Sequence, residues 1–248
     1  MINSYDELYR QIDIVSKPFG YSVEYFMWRT SKLKNEMSKF VEKDGLMLDV
    51  GGGFGVMARF LPDFVDKENR YINLDISSKM LKYSPHQNIL AATEYIPFCD
   101  VSFDYVFMSD VLEHVRDKMV ALKESYRVLK LGGLLLLTTP RTGWIKDFKK
   151  SYFIVFLIAD WVIGSIRRKL VSKKPRYSVP KGVIDEPSDE EWLRETLERI
   201  GFAVLKQYRA DNHVPWGNAG ESKFWRWFAD KCIDPLRFGH CTVVVCTK

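Results

Sequence analysis

The chain of 248 residues predicts an α/β fold built on a mostly parallel sheet, and three observations carry that expectation. A short apolar run, Leu46-Met47-Leu48, opens into Asp49-Val50-Gly51-Gly52-Gly53-Phe54-Gly55, which outlines a strand, a glycine loop and a helix from Val56. Strand-like and helix-like segments then alternate, the pattern that builds parallel sheets. Finally, 46% of the residues are apolar and 28% charged, so the chain can bury one sizeable core with insertions around it.

The glycine loop is the most informative stretch. Gly51, Gly53 and Gly55 fall on alternate positions, where a missing Cβ permits positive φ and lets backbone approach a ligand closely. A helix beginning after them offers unpaired N–H groups and the positive end of its dipole. With Asp49 two residues before the first glycine, a nucleotide-like cofactor is expected. Spacing narrows the choice. A dinucleotide loop of the form G-x-G-x-x-G would need glycine where Val56 stands, and no G-K-S or G-K-T marks a phosphate-binding loop.

The next elements follow in order. Arg70 to Ile76 reads as a second strand ending in Asp75, and an acid there suits a ribose whose two hydroxyls donate to one carboxylate. Then come Thr93-Glu94-Tyr95-Ile96-Pro97-Phe98-Cys99-Asp100-Val101-Ser102-Phe103-Asp104-Tyr105-Val106 and Leu112-Glu113-His114-Val115. Arg127-Val128-Leu129-Lys130-Leu131-Gly132-Gly133 precedes the apolar strand Leu134 to Leu137.

In this order, over residues 46 to 140, the segments resemble class I S-adenosylmethionine-dependent methyltransferases. The loop is similar to that family's D-x-G-x-G-x-G motif, and 93–106 to A-E-x-L-P-F-x-D-x-S-F-D-x-V. L-E-H-V resembles the ubiquinone- and menaquinone-biosynthesis type, and 127–133 resembles R-V-L-K-P-G-G. The resemblance implies a Rossmann-like, seven-stranded, mostly parallel sheet with helices on both faces and an antiparallel last strand. It implies S-adenosylmethionine as methyl donor and S-adenosylhomocysteine as product. It further implies cofactor contacts from Asp49, Gly51, Gly52, Gly53, Gly55, Asp75, Ile76, Thr93, Glu94 and Ser109. In that family the acid at the Asp49 position acts near the methionine amino group, often through water. One departure stands out: the acid that meets the adenine amino group in relatives is replaced here by Ala92, which leaves that contact to groups around Thr93 and Glu94.

Two regions are expected, a helical N-terminal cap over 1–44 and a methyltransferase domain over 45–248. The aromatic residues Phe19, Tyr21, Tyr25, Phe26 and Trp28 make the cap either a cover for the cofactor, as in the family, or a packing helix. Ser188 before Asp189-Glu190-Glu191 reads as a helix N-cap with acids in the first turn, and Gly201 ends that helix. Phe202 to Tyr208 reads as strand six and Cys241 to Cys246 as the last strand.

Inserts are expected at about 141–185 and 211–238, hanging over the carboxyl ends of the strands, where open α/β sheets bind ligands. The first carries the apolar run Tyr152 to Ile163, shorter than the roughly 20 residues of a spanning helix. Basic residues flank it, from Lys146, Lys149 and Lys150 to Arg167, Arg168, Lys169, Lys173, Lys174 and Arg176. It can be a buried helix or dimer contact, a lid over a greasy acceptor, or a peripheral membrane contact through 144–176, with Trp144 and Trp161 at the interface. The second insert holds Phe224-Trp225-Arg226-Trp227-Phe228. Two aromatic inserts favour a small, hydrophobic or ring-containing acceptor, glycan- or lipid-linked.

The net charge of +5, from 37 basic and 32 acidic side chains, reads mainly as solvated surface. Nucleic acid is disfavoured as acceptor, since Ser109-Asp110-Val111-Leu112 does not resemble the N/D-P-P-Y/F of amino-group DNA methyltransferases. Methyl transfer from a sulfonium is an in-line displacement, so positioning supplies much of the rate. A hydroxyl acceptor would gain from a base, for which His114 is the first candidate and His213 the second; a structural, hydrogen-bonded histidine is the competing reading of His114. His86 and His240 read as peripheral. No cluster has metal-ligand spacing, so metal-independent O-methylation is expected, with a non-catalytic cofactor-binding partner or membrane-recruited scaffold as the alternative. Cys99, Cys232, Cys241 and Cys246 form no disulfide framework, and the residues around Asp6, Glu7 and Arg10 lack a secretory layout. A cytoplasmic enzyme, able to dock at the inner face of a membrane, is the expectation.

Overall fold

A computed structural model describes residues 39–41, 45–55, 57–58, 70–143, 183–210, 227 and 241–248. His213, His240, the Tyr152 to Ile163 run and nearly all of the cap and of both inserts lie outside the described residues.

Seven strands form one sheet: β1 (Met47–Val50), β2 (Tyr71–Asp75), β3 (Gln87–Leu90), β4 (Phe103–Ser109), β5 (Leu129–Pro140), β6 (Ala203–Ala210) and β7 (Cys241–Thr247). Their order is β3-β2-β1-β4-β5-β7-β6. The pairs β3–β2, β2–β1, β1–β4 and β4–β5 are parallel, while β7 runs antiparallel to both β5 and β6. The expected fold class holds. From β1 the chain builds outward first through β2 and β3, then returns to lay β4 on the other side. That reversal opens a crevice at the carboxyl ends of β1 and β4, where such sheets take their ligands.

Alternation along the strands divides the core. Leu48, Val50, Leu74, Val106, Met108, Leu135, Leu137, Val244 and Cys246 are buried on one face. After the short helix α1 (Ser78–Leu81) come two longer ones, and there the strand residues meet Ala121, Leu122 and Val128 of α2 (Lys118–Val128) and Leu193 and Leu197 of α3 (Glu190–Ile200). Met47, Tyr71, Tyr105, Phe107, Leu136, Val243 and Val245 turn to the other face, against Val41, Met57 and Ala58. Fully burying one Leu or Phe contributes about 1.5–3 kcal/mol, so these two layers dominate the stability of the described core.

Local chemistry sets the ends of the elements. Asp189, rather than Ser188, caps α3: its Oδ1 accepts from the Glu191 and Trp192 amides at 3.0 Å. The backbone of Ser188 is already committed, its N–H donating to the Pro140 carbonyl and its carbonyl accepting from Thr142. Gly201, at φ 120°, ends the helix. β3 has no counterpart among the sequence expectations, because this edge strand is exposed except for the half-buried Ile89 and carries no apolar alternation.

The Thr93–Val106 stretch owes part of its pattern to this scaffold. Arg127 of α2 donates to Asp100 Oδ1 at 2.7 Å, to the Phe98 carbonyl at 2.8 Å and to the Ile96 carbonyl at 2.9 Å. Glu124 pairs with the same guanidinium and accepts the Ile96 amide at 3.0 Å. The clamp fixes the loop that follows β3. Among the described residues, no helix is long and apolar enough to cross a membrane.

Candidate active site

β2 serves as a template for the glycine loop. The amides of Gly51 and Gly52 both donate to the Leu74 carbonyl, at 2.7 and 3.2 Å. The Gly53 amide donates to Asp75 Oδ2 at 2.9 Å, and its carbonyl accepts from Asn73 Nδ2 at 2.9 Å. Gly51, Gly53 and Gly55 take φ of 74°, 57° and 78°, as expected of the alternate glycines. Gly52 is required for another reason. A Cβ there would collide with the side chains of Asn73 and Asp49, which press against the loop from beneath.

Asp49 therefore sits behind the loop, only 1% exposed. Its Oδ2 accepts a hydrogen bond from the hydroxyl of Tyr71, one pleat back on β2. Burial pushes the Asp49 carboxyl up to about 7; the Tyr71 bond opposes that rise and the charge of Asp75 adds to it. The Tyr71 ring packs edge-on against His86, with centroids 4.9 Å apart. His86 in turn borders Gly55, where a Cβ would come 3.3 Å from His86 Cδ2. His86 is thus part of the loop's surroundings, contrary to the peripheral role expected from sequence.

The groups present fit an adenosyl cofactor carrying positive charge. The Asp75 carboxylate is fixed at the end of β2 by the Gly53 amide at 2.9 Å and by the Ser77 amide at 2.7 Å. Ile76 beside it is 44% exposed, an apolar face offered to a base. Buried Asn73 holds an Oδ1 with no hydrogen-bond partner, directly under the loop. After β3, the Tyr95 amide closes a turn onto the Ala92 carbonyl at 3.1 Å, with Thr93 and Glu94 at its corners. Thr93 Oγ1 donates to Glu94 Oε2 at 2.9 Å, orienting a carboxylate beside the position where Ala92 offers none.

Across the crevice, Val111 lies against Gly51, where a Cβ would come within 2.5 Å of Val111 Cγ2. Before it, Asp110 adopts φ 53°, in the left-handed region that non-glycine residues visit sparingly. The Asp110 amide donates to the Thr138 carbonyl at 2.9 Å, and the Thr138 hydroxyl approaches Asp110 Oδ1 at 3.3 Å and Ser109 Oγ at 3.0 Å. Neither Asp110 nor Thr138 was among the sequence candidates. A left-handed aspartate leaves no mark in the residue order.

The next turn, Leu112–His114, carries the first base candidate. His114 Nδ1 lies 2.6 Å from the Ile184 carbonyl, an acceptor only, so Nδ1 holds the proton and Nε2 is the basic nitrogen of the neutral ring. Glu113 beside it is buried, and Thr139 Oγ1 donates to its Oε2 at 3.1 Å. Among the described residues no group of three or more acids, histidines or cysteines could hold a metal ion.

Sheet order, crevice and acid-edged glycine loop define a Rossmann-like enzyme for an adenosyl cofactor. Comparison with known proteins gives the family. A methyltransferase domain model matches residues 48–137. The demethylmenaquinone methyltransferase of Staphylococcus haemolyticus is 30% identical over 191 residues, 74% of this chain and 77% of that protein. The ubiquinone/menaquinone biosynthesis C-methyltransferase UbiE of Geotalea daltonii is 28% identical over 209 residues, 80% of this chain and 86% of its own length. A crystal structure of an S-adenosylmethionine-dependent methyltransferase of Thermotoga maritima shares the fold, with a TM-score of 0.58 at 18% identity over 91% of this chain and 93% of that one. The chain belongs to the class I S-adenosylmethionine-dependent methyltransferases. It is a methyltransferase, and S-adenosylmethionine is its cofactor.

Proposed function

We propose that this enzyme methylates a small hydrophobic acceptor, lipid- or glycan-linked, at an oxygen, with His114 taking the acceptor proton. Bound S-adenosylmethionine supplies a methyl group on a sulfonium, ready for in-line attack. Asp75 would hold the ribose hydroxyls, Gly51 to Gly55 the backbone contacts and Ile76 one face of the base. Thr93 and Glu94 would receive the adenine amino group in place of the acid missing at Ala92. Ser109 and the loop around it close the methionine end. Asp49 contributes negative charge from behind the loop.

The observation that carries the reading is the 2.6 Å contact of His114 Nδ1 with the Ile184 carbonyl. The ring stands one turn beyond Val111, its amide bonded to the Val111 carbonyl at 2.8 Å, and Val111 itself lies against Gly51. A basic Nε2 held there can accept a proton from a hydroxyl brought to the crevice, which raises the nucleophilicity of that oxygen. His213 is the second candidate for this role. The exposed Trp227 and the other aromatic residues of the two inserts support a greasy acceptor, and the inserts can also serve as a peripheral membrane or dimer contact. In this reading the enzyme works in the cytoplasm or at the inner face of the membrane.

A second reading has its own support. Two relatives carry names of quinone-pathway methyltransferases, one of them a C-methyltransferase. Loss of a ring hydroxyl's proton to His114 would activate the adjacent ring carbon as well as the oxygen. The test is to incubate the enzyme with isotope-labelled S-adenosylmethionine and a panel of demethylmenaquinone reduced beforehand to its quinol, polyprenyl phenols and lipid-linked glycans. Carbon NMR then separates a methoxy carbon from a C-methyl carbon. A methoxy product supports the first reading; a C-methyl product on a quinone ring replaces it with the second; no product with any acceptor favours a cofactor-binding scaffold.

A further inference from the structure

We propose that Tyr71 is a positioning residue of the cofactor site, acting through Asp49 to hold the glycine loop in the shape that accepts the cofactor. The proposal rests on residues 49–55 being the cofactor loop, and it concerns a residue that the loop motif does not contain.

Four contacts connect in a circuit under the loop. Tyr71 donates its hydroxyl to Asp49. Asp49, with Asn73, fills the space where a Cβ of Gly52 would stand. The Tyr71 ring is also buried in one cluster with Met57 and Ala58, on the helical stretch that follows the loop. The Tyr71 ring meets His86, which borders Gly55. One side chain thus touches the strand before the loop, the helix after it and a neighbour of its last glycine.

Physical chemistry explains why the hydroxyl matters. A buried carboxylate is costly unless hydrogen bonds satisfy it, and Asp49 is almost wholly buried. Without its donor, the carboxyl would turn toward another partner, and that change releases the wedge beneath Gly52. The loop amides of Gly51 and Gly52 hang on one carbonyl, Leu74 O, so a shift of the wedge is felt along the whole turn. Tyr71→Phe keeps the ring against His86 and deletes only the hydroxyl. The contact is also specific to register: β1 and β2 pair Asp49 with Asn73, which brings Tyr71 to Asp49 on the diagonal of the same face.

The test is a double-mutant cycle read by calorimetric titration of S-adenosylhomocysteine into wild type, Tyr71→Phe, Asp49→Asn and the double variant. Tyr71→Phe is expected to weaken binding roughly tenfold. In the Asp49→Asn background the same change is expected to cost less than about twofold, because the buried charge that the hydroxyl satisfies is gone. Amide hydrogen exchange is expected to quicken at Gly51 to Gly55 in both single variants while α2 and α3 keep their protection. Unchanged affinity in Tyr71→Phe, or an equal loss in both backgrounds, would overturn the proposal. So would exchange that quickens throughout the sheet, the mark of a purely structural tyrosine. Should Tyr71→Phe fail to fold, Asp49→Asn, which leaves Tyr71 in place, decides it: unaltered affinity and loop exchange there sink the idea. Asp75→Ala separates the two levels, since unaltered binding in that variant would mean the loop assignment itself fails.

Discussion

On the β1–β2 side of the crevice, the loop amides of Gly51, Gly52 and Gly53 are tied to neighbouring β2, and Asp49 and Asn73 support the turn from below. On the β4–β5 side, the polar groups around the crevice depend on partners far away in the chain. His114 is oriented by the Ile184 carbonyl, and Asp110 is held in a left-handed conformation by Thr138. The first side is a rigid seat assembled from adjacent strands. The second is a set of oriented polar groups assembled from long-range contacts. A seat that must fit one cofactor can be shared across a family, while the acceptor side is free to change with the substrate.

Substitutions should break the two sides differently. Gly52→Val forces a branched side chain into the space held by Asn73 and Asp49, and is expected to weaken S-adenosylhomocysteine by more than about 100-fold, or about 2.8 kcal/mol. Asp75→Ala leaves the glycine geometry possible but removes the ribose acceptor, and a loss of about 1.5–3 kcal/mol in cofactor binding is expected by calorimetry. His114→Ala belongs to the other side. It is expected to lower kcat at least about tenfold in a radiolabel transfer assay while cofactor affinity moves less than about twofold.

The smallest expected effect sharpens the comparison through pH. Asp49 is raised from 3.8 to about 7 by burial, so the folded protein holds this proton more tightly than the unfolded chain. Its contribution to stability is present below the unfolded value and is lost as pH rises from there through about 7. Asp49→Asn should flatten that part of the thermal unfolding profile. The cationic cofactor favours the ionised carboxylate, so affinity is expected to rise by up to about tenfold between pH 6 and pH 8 in wild type, and not in Asp49→Asn.

The same division decides what could be read from sequence. β1, the loop and Asp75 were legible because an apolar run, alternate glycines and a terminal acid are local signals. Leu134 to Leu137 lies within β5, and Cys241 to Cys246 within antiparallel β7. β3 escaped because Gln87 to Leu90 lies exposed at the sheet edge. Ser188 reads as the cap from sequence because either side chain can cap; the bridge of Ser188 to Arg141 and the Asp189 bonds to the Glu191 and Trp192 amides assign the role to Asp189. Tyr71 and His86 were invisible for a deeper reason. Their part in the loop exists only once β1 and β2 are in register, and no spacing within one segment encodes that.

One titration series tests the separation of the two sides most directly: S-adenosylhomocysteine into wild type, Asp75→Ala and His114→Ala under one set of conditions. Micromolar binding is expected for wild type and His114→Ala, with Asp75→Ala at least about tenfold weaker. Equal weakening in both variants, or no heat from wild type at millimolar ligand, would contradict a cofactor seat centred on β1 and β2 and separate from His114.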